Sequence, residues 1–111
     1  MSDKIKDHVM HIINTMNSGY DGYGTEDEDG EYQDAFKYLE DVLDINWILN
    51  SDRTLRGARL LVAFGGPNIW IDTVKGTVEG AWWGDSFTDT YNTNSEFARD
   101  LDEALDTLYS C

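Results

Sequence analysis

Three apolar runs separated by very short turn segments constrain this chain more than anything else in it. Gly57 to Phe64, Asn68 to Thr73 and Thr77 to Trp83 are dense in β-branched and aromatic residues and read as consecutive strands. Gly65-Gly66-Pro67 and Val74-Lys75-Gly76 join them. A parallel crossover needs about a dozen residues or more, so connections this short force antiparallel neighbours and a meander. Phe87, Asp89 and Tyr91 alternate with Ser86, Thr88 and Thr90, which predicts a fourth, more polar edge strand from Ser86 to Tyr91.

Helical periods flank the strands. Ile5, Val9, Ile12, Ile13 and Met16 make one apolar stripe over residues 3–17, capped by Ser2 or Asp3 and stopped at Ser18-Gly19. Thr25 to Gly30 offers nothing large to bury and reads as a solvated loop. From Glu31 the helical spacing returns, with Tyr32, Phe36, Leu39, Leu43 and Trp47 on one face and Glu31, Asp34, Asp41 and Asp44 on the other. Thr93 with Glu96 forms a capping-box pattern before a last stripe of Phe97, Leu101, Ala104, Leu105 and Leu108. The expectation is an α+β fold in the order α-α-β-β-β-(β)-α. Three helices then pack mainly on one face of a three- to four-stranded antiparallel meander. A chain of 111 residues fits one domain, 1–111, and shows no internal repeat. Alternation sends Ile69, Ile71, Val78 and Trp82 to the helix-covered face and Trp70, Asp72, Glu79 and Trp83 to the other. On that second face the tryptophans either stand exposed beside acids, or pack on each other or under the Tyr20–Tyr23 loop.

Charge then narrows the function. Twenty-two Asp and Glu against eight Lys and Arg give a formal net charge of -14, which repels nucleic-acid phosphates and anionic membranes. The charge is segmented: residues 21–44 hold ten acids against Lys37, residues 85–111 hold seven against Arg99, and residues 45–84 between them are nearly balanced. The single cysteine, Cys111, excludes an intramolecular disulfide and a cysteine zinc site, consistent with a reducing compartment. With no signal-like stretch and nothing near the roughly 20 apolar residues of a membrane span, a cytoplasmic location is expected.

Catalytic and metal motifs fail individually. His8 and His11 are spaced i, i+3, without the i, i+4 geometry and glutamate of a zinc protease helix. Placing Gly30 sixth in a calcium loop puts Phe36 at the twelfth position, where a bidentate glutamate is required, so an EF-hand is rejected. Gly65-Gly66-Pro67-Asn68 leads into a strand rather than a helix and reads as a turn, not a phosphate cradle. Arg53, Arg56 and Arg59 lie amid excess acid and are expected in internal salt bridges. No nucleophile with a base is present, so no enzyme and no cofactor is expected.

What remains is a partner-binding surface. On the expected second helix Asp34 and Asp41 lie two turns, about 10 Å, apart, with Glu31 and Asp44 extending the row. The last helix repeats the design with Glu96, Asp100, Glu103 and Asp106, and the run Glu26, Asp27, Glu28 and Asp29 adds a mobile cluster. Duplex DNA carries one phosphate per about 1.7 Å of axis over both strands, so fixed carboxylate rows can imitate its edge to a basic protein. Trp70 and Trp83, beside Glu79 and Asp85, are the candidate aromatic anchors.

The run from Leu61 to Thr73 followed by Val78 to Asp85 resembles small proteins of bacterial mobile elements. In size, acidity and α+β pattern the chain resembles the phage and mobile-element inhibitors of bacterial defence, the anti-CRISPR and anti-restriction proteins, several of which are DNA mimics. That resemblance implies a non-enzymatic inhibitor that acts in the bacterial host cytoplasm and occupies the nucleic-acid site of a CRISPR effector, restriction enzyme or nuclease. It carries over no site residues. The alternative is an immunity protein or antitoxin covering the basic site of a cationic nuclease.

Overall fold

The computed structural model describes residues 2–110. Its elements are α1 (Ser2–Ser18), α2 (Ala35–Leu39), β1 (Asp44–Leu49), β2 (Leu55–Ala63), β3 (Asn68–Asp72), β4 (Thr77–Trp82), β5 (Asp85–Thr90) and α3 (Glu96–Ser110). The five strands form one open antiparallel sheet in sequence order. The meander is therefore longer than expected by one strand at its start, and the polar fourth strand of the sequence reading is β5.

The added strand replaces most of the expected second helix. Only Ala35–Leu39 is helical, capped by Asp34, whose carboxylate accepts from the Lys37 amide at 3.1 Å. From Leu43 the apolar residues also alternate, at 43, 45, 47 and 49. Pairing Ile45 with Leu60 and Trp47 with Ala58 satisfies the backbone of β2, which a helix could not do. Strand pairing wins there.

On one face of the sheet Ala58, Leu60, Ile69, Ile71 and Val78 are fully buried. Beneath β4 and β5 runs α1, with Ile5, Val9, Ile13 and Met16 inward. Gly80 makes that close approach possible, because a Cβ there would lie 2.6 Å from Val9 and 2.8 Å from Ile5. Helix α3 packs against β2 through the stripe that includes Phe97, Leu101, Ala104 and Leu105, while Leu108 is exposed. The short α2 lies on α3, not on the sheet. The opposite face carries Asn46, Arg59, Leu61, Trp70 and Glu79 and bears no helix among the described residues.

Two local expectations change. The cap of α3 is Ser95, whose hydroxyl oxygen accepts from the Ala98 amide at 3.1 Å, so Thr93 is not the capping residue. That same hydroxyl donates to the Met16 carbonyl at 2.5 Å, joining the end of α1 to the start of α3. Asp72 keeps its expected outer-face register, opposite Arg59 and Thr77, but is buried at 3% exposure, and its carboxylate accepts from the Val74 and Lys75 amides, both at 3.0 Å. It shapes the β3–β4 turn.

Candidate functional site

The two acidic segments of the sequence meet beside α3. Tyr20 and Tyr23 fold the segment after α1 back onto Phe97, with ring centroids 5.8 and 5.0 Å from it, and Tyr38 of α2 approaches the same ring at 5.3 Å. The Tyr20 hydroxyl donates to the Asp34 carbonyl at 2.7 Å, and the Tyr23 hydroxyl donates to Asp100 at 3.0 Å. Asp100 also accepts from the Ala35 amide at 3.1 Å, so this carboxylate locks the start of α2 onto α3. Burial and the neighbouring Asp100 carboxylate hold the Tyr23 phenol well above its ordinary pKa, so it stays a donor.

This packing leaves an open groove of about 630 Å³ between the Tyr23–Asp34 segment and α3. Asp34, Glu96, Asp100 and Glu103 line it, with Arg99 the one basic lining residue. Glu96, Asp100 and Glu103 repeat at i, i+4 and i+7, about 10 Å along the helix axis. The groove thus presents fixed carboxylates from both acidic segments on two rigidly joined elements.

Other expected site residues fall elsewhere. Asp34, Asp41 and Asp44 form no row, because the helix that would have aligned them does not exist: Asp34 caps α2, Asp41 lies in the turn after it and Asp44 begins β1. Glu31 is paired with Lys37 at 2.9 Å. Asp27, Glu28 and Asp29 occupy an exposed turn closed by the Glu26–Tyr32 bridge. Asp27 accepts from the Asp29 and Glu31 amides, both at 2.9 Å, and from the Gln33 side chain at 3.0 Å, so the cluster is a hydrogen-bonded turn.

The two anchor candidates also separate. Trp70 is half-buried on the open sheet face under the Arg59 guanidinium, 4.7 Å from its ring, and Arg59 reaches Glu79 at 3.8 Å. Of the three arginines expected in internal salt bridges, Arg59 makes this ion pair, while Arg53 and Arg56 are exposed. Trp83 is 89% exposed at the β4–β5 turn, with Trp82 paired to Asp85 across the hairpin. Neither tryptophan packs under the tyrosine loop, whose rings cover Phe97 instead.

In a meander the β2–β3 and β4–β5 turns share one end of the sheet, so Phe64, 74% exposed, joins Trp83 in an aromatic tip. Lys4 sits 5.6 Å over Trp82, and a space of about 210 Å³ opens among Lys4, Trp82, Trp83 and Asp85. Strand β5 leads away from this tip toward α3, so the acidic groove and the tip are distinct surfaces.

Compared with protein families, curated proteins and solved structures, this chain finds no match. Function therefore has to be argued from the surfaces themselves.

Sequence reasoning missed Tyr23, Tyr32, Asn94 and Arg99 as groove residues and Phe64 at the tip. Phe64 was legible in principle, since it directly precedes Gly65-Gly66-Pro67 and a turn leaves its flanking side chains little to pack on. The ring of His8 lies edge-on to Trp82 at 5.5 Å, which gives that residue a packing role. Among the described residues no group of three or more His, Cys, Asp or Glu is arranged to hold a metal ion, and no helix is long and apolar enough to cross a membrane.

Proposed function

We propose that this chain is a binding protein, not an enzyme, that inhibits a bacterial nucleic-acid-binding defence complex by occupying its DNA or RNA site. The observation that carries the reading is the convergence of Asp34, Glu96, Asp100 and Glu103, from segments far apart in sequence, on one groove of a chain with net charge -14. Self-repulsion at that charge destabilises a compact domain, so concentrating it on a rigid surface is favoured where a basic partner compensates. The Trp83 tip supplies a second contact of a kind enriched among binding hot spots.

The test is capture from bacterial lysate on the immobilised chain, then competition of each recovered protein with duplex DNA and structured RNA. A nucleic-acid-binding protein that elutes between about 0.1 and 1 M salt, where the Debye length shrinks from about 10 to 3 Å, and that DNA or RNA displaces, is the expected result. Reversing Glu96 and Glu103 to lysine together should abolish capture without unfolding the exposed face they occupy. A recovered target that binds this chain and its nucleic acid simultaneously would refute site occupation.

A further inference from the structure

The edge strand β1 stands out once the acidic surfaces are accounted for. It is the outermost strand of the sheet and makes extensive contact only with β2 among the described elements, so its outer row of backbone N–H and C=O groups faces away from the protein. Natural sheets guard such edges with lysine, proline or a covering element. Here β1 has neither lysine nor proline, and residues 45–51 carry no charge at all. Exposed apolar side chains collect alongside: Leu43, at 60% exposure, with Trp47, Leu49 and, on α3, Leu108. Trp47 touches Tyr109 at 5.4 Å, so the end of α3 belongs to the same strip.

We infer that β1 is a self-association edge, on which a second copy of this chain pairs antiparallel about a two-fold axis to make a continuous ten-stranded sheet. Charge selects that occupant. A foreign basic strand would seek carboxylates, of which β1 offers Asp44 alone, at its first position, whereas the uncharged run of residues 45–51 is complementary to its own copy, and an antiparallel edge is self-complementary by symmetry. It is also where two chains of net charge -14 can approach with least repulsion. With the axis at Trp47, each Asp44 lies opposite Asn50, and the two Asp44 residues are about 20 Å apart along the strands at about 3.4 Å per residue. A strip this narrow falls short of the roughly 800 Å² per partner of a stable interface, so the pairing is weak and concentration-dependent.

Sedimentation velocity on the full chain, up to hundreds of micromolar, tests this independently of any target. Dimer should grow with concentration and strengthen from about 0.1 to 1 M salt as repulsion is screened, opposite in sign to the salt effect on a basic partner. Asn46→Asp, at an exposed position beside the axis, and Leu43→Asp, outside the strand, should each weaken the dimer about tenfold or more at low salt with unchanged thermal melts. Amide exchange across Ile45–Ile48 should slow as the concentration rises. A monomer at every concentration and salt, or a dimer indifferent to both acidic variants, overturns the inference. So does a dimer abolished by Trp83→Asn, which would place the contact at the aromatic tip.

Discussion

Trp83 should be replaceable by asparagine at almost no cost to the fold, and with a large loss of binding. Its φ is +56°, and Gly84 follows at +83°, so both central residues of the hairpin turn lie in the left-handed region of a type I′ turn. For an ordinary L-residue that conformation costs about 1 to 2 kcal/mol, and asparagine tolerates it far better. Relief of about 1 kcal/mol is therefore on offer. Against it stands the lost burial: Trp83 is 89% exposed, so only about a tenth of a side chain of roughly 250 Å² is covered, worth about 0.6 kcal/mol at about 25 cal/mol/Å². The balance predicts urea unfolding of Trp83→Asn within about 0.5 kcal/mol of the parent, and on the stabilised side. Target affinity should meanwhile fall by about 2 kcal/mol, roughly thirtyfold, as for an aromatic hot spot. A destabilisation above about 1.5 kcal/mol would show that the tryptophan serves the fold. Unchanged affinity would remove the tip from the binding surface.

The groove carboxylates should divide by role in the same urea assay. Asp100→Ala leaves the Tyr23 hydroxyl and Ala35 amide without their acceptor and should cost about 2 to 3 kcal/mol, whereas Glu103→Gln, on an exposed face, should stay within about 0.5 kcal/mol and weaken only target binding. Alkaline melts should report the buried phenols. Burial pushes Tyr38 from 10.0 up to about 12 and also raises Tyr91. Above pH 10 the unfolded chain releases these protons while the folded chain retains them, so stability is unaffected below that pH and declines as pH rises through it. Tyrosinate absorbance from Tyr38 and Tyr91 should appear together with unfolding; its full appearance in the folded chain would contradict their burial.

The parts of the fold that local patterning dictates were readable from the residues. Runs of β-branched and aromatic residues between short turns marked β2, β3 and β4, alternation marked β5, and the stripes of Ile5 to Met16 and Phe97 to Leu105 marked α1 and α3. Residues 31–50 misled because Tyr32, Phe36, Leu39, Leu43 and Trp47 satisfy a helical period while Leu43 to Leu49 also alternates. Only the neighbouring edge of β2 breaks that tie, and it is a tertiary fact. The groove was half legible. Glu96, Asp100 and Glu103 follow from helical spacing, but the pairing of Tyr23 with Asp100 spans 77 positions and has no local signature. Nor could spacing show that Asp100 is partly occupied in holding α2 while Glu103 is exposed.

The Ser95 hydroxyl sets an order of events. It caps α3 and bonds the last turn of α1 across 79 positions, and the surface that α1 covers, around Gly80, is itself built late in the chain. The first helix to be synthesised thus has no groove to enter until β4 and β5 exist, and the last helix gains its cap and its link to α1 from one side chain. Contacts this distant raise the loop-closure entropy that folding must overcome before it is repaid, so α1 should dock late and in concert with α3. Until then its apolar stripe is exposed, which makes the interval between synthesis of α1 and of Ser95 the period in which this protein is most open to aggregation and proteolysis.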